Sequence, residues 1–544
     1  MLPTEILDRL IPSSVTPVAE WEQRFPPRAM PAGAEVTRFA PSPTGFVHVG
    51  GILVALIAQS VAVSSDGVFI LRVEDTDQSR YVEGAVEQLN RSLEYFGITP
   101  DERVGSGAYG PYAQSERAAI YDSFVRALLE QDSAYPCFCT SDELAALTGR
   151  QQAAKVPSGY WGSWATCRHL SDQDVAARLD AGAPFVIRFR APYDGGTVRR
   201  VRFTDRVRGD IEMDDNRNDV VVRKTMGLPT YHLAHAVDDH LMRVTTVVRA
   251  DEWLSSVPLH LQLFAALGFE APAYGHIAPI VITDGKSKRK LSKRKDPQAN
   301  VDWYAESGYP VEGILCYLQG LANARLQDQP WQQVLREPLR LEECSNSGQL
   351  LDLAKLASIC REVIADLPVD QSADRLLAWA RTYDPELAVQ IGEDRQTLLR
   401  VLSIEATQPG RPRKDLATWG DFREKYGFLI PAAFTLVTDP ADERFQPLEA
   451  DLVKQMAATV AAGYKHDLDG QEWFEQVRAA ALALGFAASV GEYKREPERF
   501  RGPLKEAANV VRVLLTGSTR SPDLYEASRV LGADEVLRRL TSLA

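Results

Sequence analysis

The segment that most restricts the fold of this chain is residues 35–74, EVTRFAPSPTGFVHVGGILVALIAQSVAVSSDGVFILRVE. Its start, EVTRFA, alternates and is rich in β formers, which predicts a strand. Residues 52–65 place apolar side chains at helical spacing over enough length for a helix. Residues 67–74 are nearly all apolar, as a parallel strand covered on both faces should be. Strand, loop, helix and strand make one βαβ unit of a nucleotide-binding sheet. The loop leaves the carboxyl end of the first strand and runs into a helix N-terminus, where free N–H groups and the helix dipole favour anions. Gly50 and Gly51 allow close backbone approach. His48 adds a hydrogen-bond donor, and Pro41 and Pro43 stiffen the approach. The combination predicts a phosphate site.

A second basic element lies far along the chain. Residues 285–296, GKSKRKLSKRKD, hold seven Lys or Arg and one Asp just after the strand-like HIAPIVIT. The segment reads either as a solvated basic loop or as a mobile phosphate clamp. Its glycine start, the serine between lysines and its position after a strand favour the clamp. The net charge of −13 argues against indiscriminate nucleic-acid binding, which calls for a basic protein. RNA recognition would have to rest on local positive charge and shape. A chain of 544 residues exceeds what one core serves, so three to five domains are expected. No run is apolar for the ~20 residues of a membrane span, and MLPTEILDRLIPSS lacks the pattern of a secretory signal. Six cysteines are too few for a disulfide scaffold in a chain this long, which points to a reducing cytoplasm.

Three of those cysteines have metal-ligand spacing. Cys137-x-Cys139 is followed by Cys167-x-His169, a zinc ligand set, with Tyr160 as a rival for the fourth position. The alternative is three buried thiols packing as small hydrophobes. Cys316, Cys344 and Cys360 lie in helical sequence and read as core.

Taken in order, RFAPSPTGFVHVGG, FILRVEDTD, GPYAQSER, YPCFCT, PTYHLAHAVDDHLMRVTTVVRADEWLSS and KLSKRK resemble the bacterial glutamyl-tRNA synthetases, which are class I aminoacyl-tRNA synthetases. HVGG is similar to their HIGH signature and KLSKR to their KMSKS signature. The likeness is dense over about residues 36–315 and returns near the end in RVLLTGSTRSPDLYEASRVLGADEVLRRL. It implies an α/β, Rossmann-like catalytic domain with an inserted α+β acceptor-end domain, followed by an all-α anticodon-binding region. The divisions it implies are an extension at 1–33, the first catalytic half at 34–110 and the insert with its possible zinc site at 111–220. The second catalytic half follows at 221–297, stem-contact helices at 298–355 and the anticodon-binding helices at 356–544.

The same resemblance implies two-step attachment of L-glutamate to tRNA(Glu) through glutamyl adenylate, with ATP and Mg²⁺, by a cytoplasmic monomer without membrane attachment. ATP falls to His48, Gly50, Gly51, Lys290, Ser292 and Lys293, with His48, Lys290 and Lys293 catalytic. Glutamate falls to Arg38, Ala40, Ser42, Glu74, Tyr231, His235 and Arg249. Glu74 suits the ammonium and the two arginines suit the carboxylates, because a guanidinium fork binds two oxygens. Zinc falls to Cys137, Cys139, Cys167 and His169 in a structural role. Three places depart from the family. His235 stands for an asparagine, and a neutral imidazole there could bond substrate as an amide would. Thr225, Met226 and Gly227 replace Ser-Asp-Gly. In LLDLAKLASICREV, residues 350–363, the usual tryptophan and asparagine are missing.

Overall fold

Val36–Phe39 (β1) is buried along its length and pairs in parallel with Val68–Leu71 (β2). The helix between them, Val49–Ser64, starts at His48, whose side chain accepts from the Gly50 N–H, so the N-cap is an imidazole. Ile52, Leu53, Ala55, Ile57, Ala58 and Val61 bury it on more than one face. Gly67, which opens β2, has no alternative: a Cβ there would lie 1.9 Å from the Glu35 carbonyl oxygen. The βαβ reading of 35–74 thus matches the structure, a computed structural model that describes residues 2–193, 196–404 and 414–543.

The chain next builds Ala134–Cys137 (β3), Val186–Phe189 (β4), Arg200–Asp205 (β5), Gly209–Asp214 (β6) and Val221–Arg223 (β7). Thr246–Ala250 (β8) and Ala273–Ile277 (β9) follow, then Ile280–Asp284 (β10), Ser287–Lys290 (β11) and Gln349–Leu350 (β12). The main sheet has the order β2-β1-β8-β9-β5-β6. Its first five strands run parallel and β6 closes it as an antiparallel edge. Connections from β1 diverge to β2 on one side and to β8 on the other. Such a switch point leaves a crevice at the carboxyl ends of the strands, which is where α/β sheets bind ligands.

Three features differ from the sequence expectation. The hairpin β5–β6, expected among the insert's strands, extends the main sheet, because Asp205 reaches the register position opposite Tyr274 of β9. β7 goes the other way: it pairs with β4 in the insert's sheet, β3-β4-β7. HIAPIVIT is not one strand. It breaks at Ala278–Pro279 into β9 of the main sheet and β10, which pairs with β11 and β12. The basic segment is therefore partly a hairpin strand rather than a loop throughout.

The chain divides into two compact units, Met1–Trp303 with Leu315–Leu351, and Tyr304–Ile314 with Asp352–Ala544. In the first, insert and nucleotide-binding parts share one core: Ile187 and Phe189 of β4 pack with Leu233 and Val237 of helix Tyr231–Leu241. The N-terminal extension joins that core through Ile6, Leu7, Trp21 and Phe25. A shared core explains why the insert is not a separately packed body. The second unit is built of helices around Leu376, Phe422, Met456, Trp473 and Leu514.

Candidate active site

The crevice at the switch point opens into a cavity of about 610 Å³. Arg38, Ala40, Ser42, His48, Gly50, Gly51, Glu74, Tyr231, Arg249, Lys290, Ser292 and Lys293 all line it. These residues come from β1, the loop after it, the following helix, the end of β2, the helix Tyr231–Leu241, β8 and the basic hairpin.

At one end stand His48 and the lysines. The His48 ring is fully engaged: Nδ1 accepts from the Gly50 N–H at 2.9 Å and Nε2 donates to the Leu291 carbonyl at 3.2 Å. Acceptance at Nδ1 requires the neutral ring. Burial depresses its pKa, and Lys293 and Lys290 press in the same direction. Gly50 is glycine partly for this ring, since a Cβ would sit 3.1 Å from His48 Nδ1. Lys293 Nζ donates to the Phe46 carbonyl at 2.5 Å, and burial lowers its pKa. Lys290 is ion-paired with Glu252. Arg289 holds Asp296 through two bonds of 2.7 and 2.8 Å, and Asp296 accepts from the Ser292 N–H, which ties the turn of the hairpin back on itself.

The other end is a buried charge network that the sequence reading missed in part. Arg72 is fully buried; it donates to Asp239 Oδ1 at 2.5 Å and to Glu74 Oε1 at 3.0 Å. Arg38 donates to Asp239 Oδ2 at 3.3 Å and to the Val248 carbonyl at 3.3 Å. Burial raises the Glu74 pKa against the pull of Arg72 and Arg38, whereas for Asp239 the arginines overcome burial and hold it well below the usual range. Arg249 differs from Arg38 and Arg72. Its neighbours are neutral: His276 Nε2 at 3.0 Å, Tyr231 Oη and His260 Nδ1 at 3.3 Å each, and the Trp253 carbonyl at 3.3 Å. Among the described residues no carboxylate forms an ion pair with it. An arginine whose charge is not already matched is the natural anchor for an incoming carboxylate.

His235 does not line the cavity. It is fully buried behind Tyr231, with whose ring it stacks at 5.8 Å between centroids. Its Nδ1 lies 2.8 Å from Asp239 and its Nε2 lies 3.1 Å from the Tyr274 hydroxyl. The expectation that it bonds substrate directly does not fit this placement, because the imidazole turns both nitrogens toward protein groups rather than the cavity. Burial drives its pKa down to about 3, against Asp239, so the ring is neutral.

In the insert, the Sγ atoms of Cys137, Cys139 and Cys167 lie within 4.8 Å of one another. The Tyr160 hydroxyl lies 3.3 Å from Cys139 Sγ and 3.6 Å from Cys137 Sγ. His169, expected as the fourth ligand, is exposed and turned to the Gly162 carbonyl at 3.4 Å. Cys167 and His169 share the single 3₁₀ turn Thr166–His169, and on such a turn side chains two apart point in different directions. A hydrogen bond from Cys167 lowers the Cys137 thiol pKa against burial, with help from Arg188, while the same bond raises that of Cys167. Three convergent sulfurs, one of them readily ionised, and a phenol oxygen form a donor set that fits zinc.

Two family models match the chain: tRNA synthetases class I (E and Q), catalytic domain, over residues 35–358, and anticodon binding domain over residues 498–544. The chain is 39% identical over 527 residues to a glutamate–tRNA ligase of Clostridium beijerinckii, covering 95% of both chains. It is 40% identical over 562 residues to one of Sorangium cellulosum, covering 96% of both. Its structure is similar to that of a glutamate tRNA ligase from Elizabethkingia meningosepticum in complex with its amino acid. The TM-score is 0.73 at 26% identity, over 93% of this chain and 98% of that one.

Proposed function

The chain belongs to the class I tRNA synthetases of the glutamate and glutamine branch, among the glutamate–tRNA ligases, and from that premise we infer how its own residues attach L-glutamate to tRNA(Glu). A carboxylate oxygen of glutamate attacks the α-phosphorus of ATP, which enters as its Mg²⁺ complex, and pyrophosphate leaves. The terminal ribose hydroxyl of the tRNA then attacks the acyl carbon, and AMP leaves. Neither step needs a protein nucleophile; both need positioning and neutralised charge.

One observation carries the assignment of residues. A single cavity has His48, Lys290 and Lys293 at one end and Arg38, Glu74 and Arg249 at the other. At the first end the His48 Nε2–H, the N-terminus of Val49–Ser64 and the ammonium groups of Lys290 and Lys293 receive the phosphates. At the second, Arg249 takes one carboxylate of glutamate, Arg38 shares its charge between Asp239 and the other, and Glu74 takes the ammonium. Ala40 and Ser42 shape the floor between them. The insert, 111–220, receives the acceptor end of the tRNA. Cys137, Cys139, Cys167 and Tyr160 would hold a zinc ion there, which supplies a structural crosslink. The helices of 356–544 read the anticodon, a role supported by the family match at their end. The enzyme acts as a cytoplasmic monomer in this reading, and no helix among the described residues is long and apolar enough to cross a membrane.

The test is pyrophosphate–ATP exchange and tRNA charging with purified protein. Exchange should require glutamate. Lys293→Ala should slow adenylate formation by roughly 10²-fold while leaving glutamate affinity nearly unchanged, because its charge acts on the growing negative charge of pyrophosphate. Unchanged turnover in that variant would remove Lys293 from the machinery.

A further inference from the structure

Arg249 is held by imidazoles, and the protons on those rings are fixed by what lies behind them. Its Nε–H donates to His276 Nε2 at 3.0 Å, so that nitrogen must be the bare one. The proton of His276 is then on Nδ1, which donates to Asp205 Oδ2 at 2.5 Å. Asp205 is held in place through its other oxygen, which accepts from the backbone N–H groups of Val207 and Arg208 at 3.0 Å and of His276 at 3.3 Å. His276 is fully buried and Asp205 nearly so. On the other side, Arg249 Nη1 donates to His260 Nδ1 at 3.3 Å, so His260 carries its proton on Nε2, facing His232 Nδ1 at 3.1 Å.

We propose that Asp205 and His276 are positioning residues for the binding of glutamate: Asp205 fixes the tautomer of His276, and the bare Nε2 of His276 aims Arg249 at a substrate carboxylate. This inference rests on the reading of the cavity given above. The arrangement has a physical advantage over a direct Asp–Arg pair. A carboxylate on Arg249 would match its charge and compete with the substrate. An imidazole orients the guanidinium while keeping the acid one ring away. Burial pushes the His276 pKa down against Asp205, and the His276 hydrogen bond keeps Asp205 ionised despite burial, so the pair stays neutral imidazole plus carboxylate. A protonated His276 would put N–H against N–H at Arg249 and lose the aim. Sequence reasoning passed over both residues: Asp205 sits in FTDRVRG and His276 in YGHIAP, outside the motifs that carried the resemblance.

The geometry supplies its own test, because the two oxygens of Asp205 do different jobs. In Asp205→Asn the amide oxygen can keep the three backbone bonds, while the amide nitrogen replaces Oδ2 and donates to Nδ1. That forces the proton of His276 onto Nε2, facing Arg249. Kinetics of tRNA charging by the full-length enzyme should show the KM for glutamate raised roughly 10-fold or more, from a lost bond and an unpaired buried donor, with the KM for ATP moved less than about twofold. In a His276→Leu background, which presents no hydrogen-bonding atom to either Asp205 or Arg249, Asp205→Asn should cost less than about threefold, since nothing is left to invert. An equal rise in both backgrounds means that Asp205 only supports the fold of its turn, and overturns the proposal. If Asp205→Asn does not fold, His276→Gln against His276→Leu decides: the first should stay close to the native KM and the second should lose about tenfold or more. Equal losses overturn the proposal. A native enzyme that shows no glutamate-dependent exchange even with tRNA present would instead remove the functional reading beneath it.

Discussion

The buried ionisable side chains around the glutamate end set both what was legible and how the molecule should respond to acid. Arg38, Glu74 and Arg249 could be read from the sequence because each sits in a recognisable string. Arg72 and Asp239 stood in the same strings and were missed. The signal was present in part: a single arginine inside VFILRVE, a strand expected to be covered on both faces, demands a buried acid, and Glu74 beside it supplies only one of the two it finds. Which acid it finds depends on the packing of a helix some 160 residues away, and local sequence does not encode that. His235 failed for a related reason, since motif position fixed its neighbourhood but not its length or direction. His232 and His235 have pKa values driven down by burial to about 4 and about 3. Below the unfolded value of about 6.5 the unfolded chain binds more protons, so each ring contributes stability that is complete above that pH and declines as the pH falls toward the folded value. At pH 5 the loss is about 2 kcal/mol for each ring. Denaturant titrations of native enzyme and His235→Gln at pH 7 and pH 5 should show the variant losing about 2 kcal/mol less between the two. Identical losses would mean that the buried ring is not what the acid finds.

Among the elements, the helix Val49–Ser64 and its two strands were readable because periodicity and a glycine-bounded loop are local properties. The hairpin β5–β6 was readable as strands but not as part of the main sheet. Its place rests on a parallel contact at Asp205 with Tyr274, and pairing partners so far apart leave no trace in either segment. The cysteine cluster shows the same division. Spacing identified the three sulfurs, whereas the fourth donor depended on which way a short turn faces. The expected behaviour follows the sulfurs and the phenol. Metal analysis of protein purified without chelator should find close to one zinc per chain. His169→Ala should keep it through dialysis against a weak chelator, while Cys139→Ala and Tyr160→Phe should release it. Loss of zinc on changing His169 would return that residue to the ligand set.

For the whole molecule, composition bounded the problem loosely: three to five domains were expected, and the chain groups into two compact units, the first of which buries apolar surfaces of the insert, the nucleotide-binding half and the N-terminal helices against one another. The extension, unreadable in sequence, ties across that unit. Trp21 donates to Ser123, Glu22 pairs with Arg243, and Arg28 grips Glu102 with two bonds. The cavity too is assembled from distant segments, and its phosphate end already has occupants. Lys293 holds the Phe46 carbonyl, Lys290 holds Glu252, and His48 holds the Leu291 carbonyl. In the proposed reading of the cavity, the free enzyme acts as its own competitor toward ATP. An arriving phosphate shares these cations with a carbonyl and a carboxylate, and its affinity is reduced by the bonds already made. Loosening the internal competitor should tighten ATP: Glu252→Gln should lower the KM for ATP about threefold or more, as a charged partner of Lys290 becomes a neutral one, without a matching change for glutamate. A higher KM for ATP would show that Glu252 serves the nucleotide rather than standing in its place.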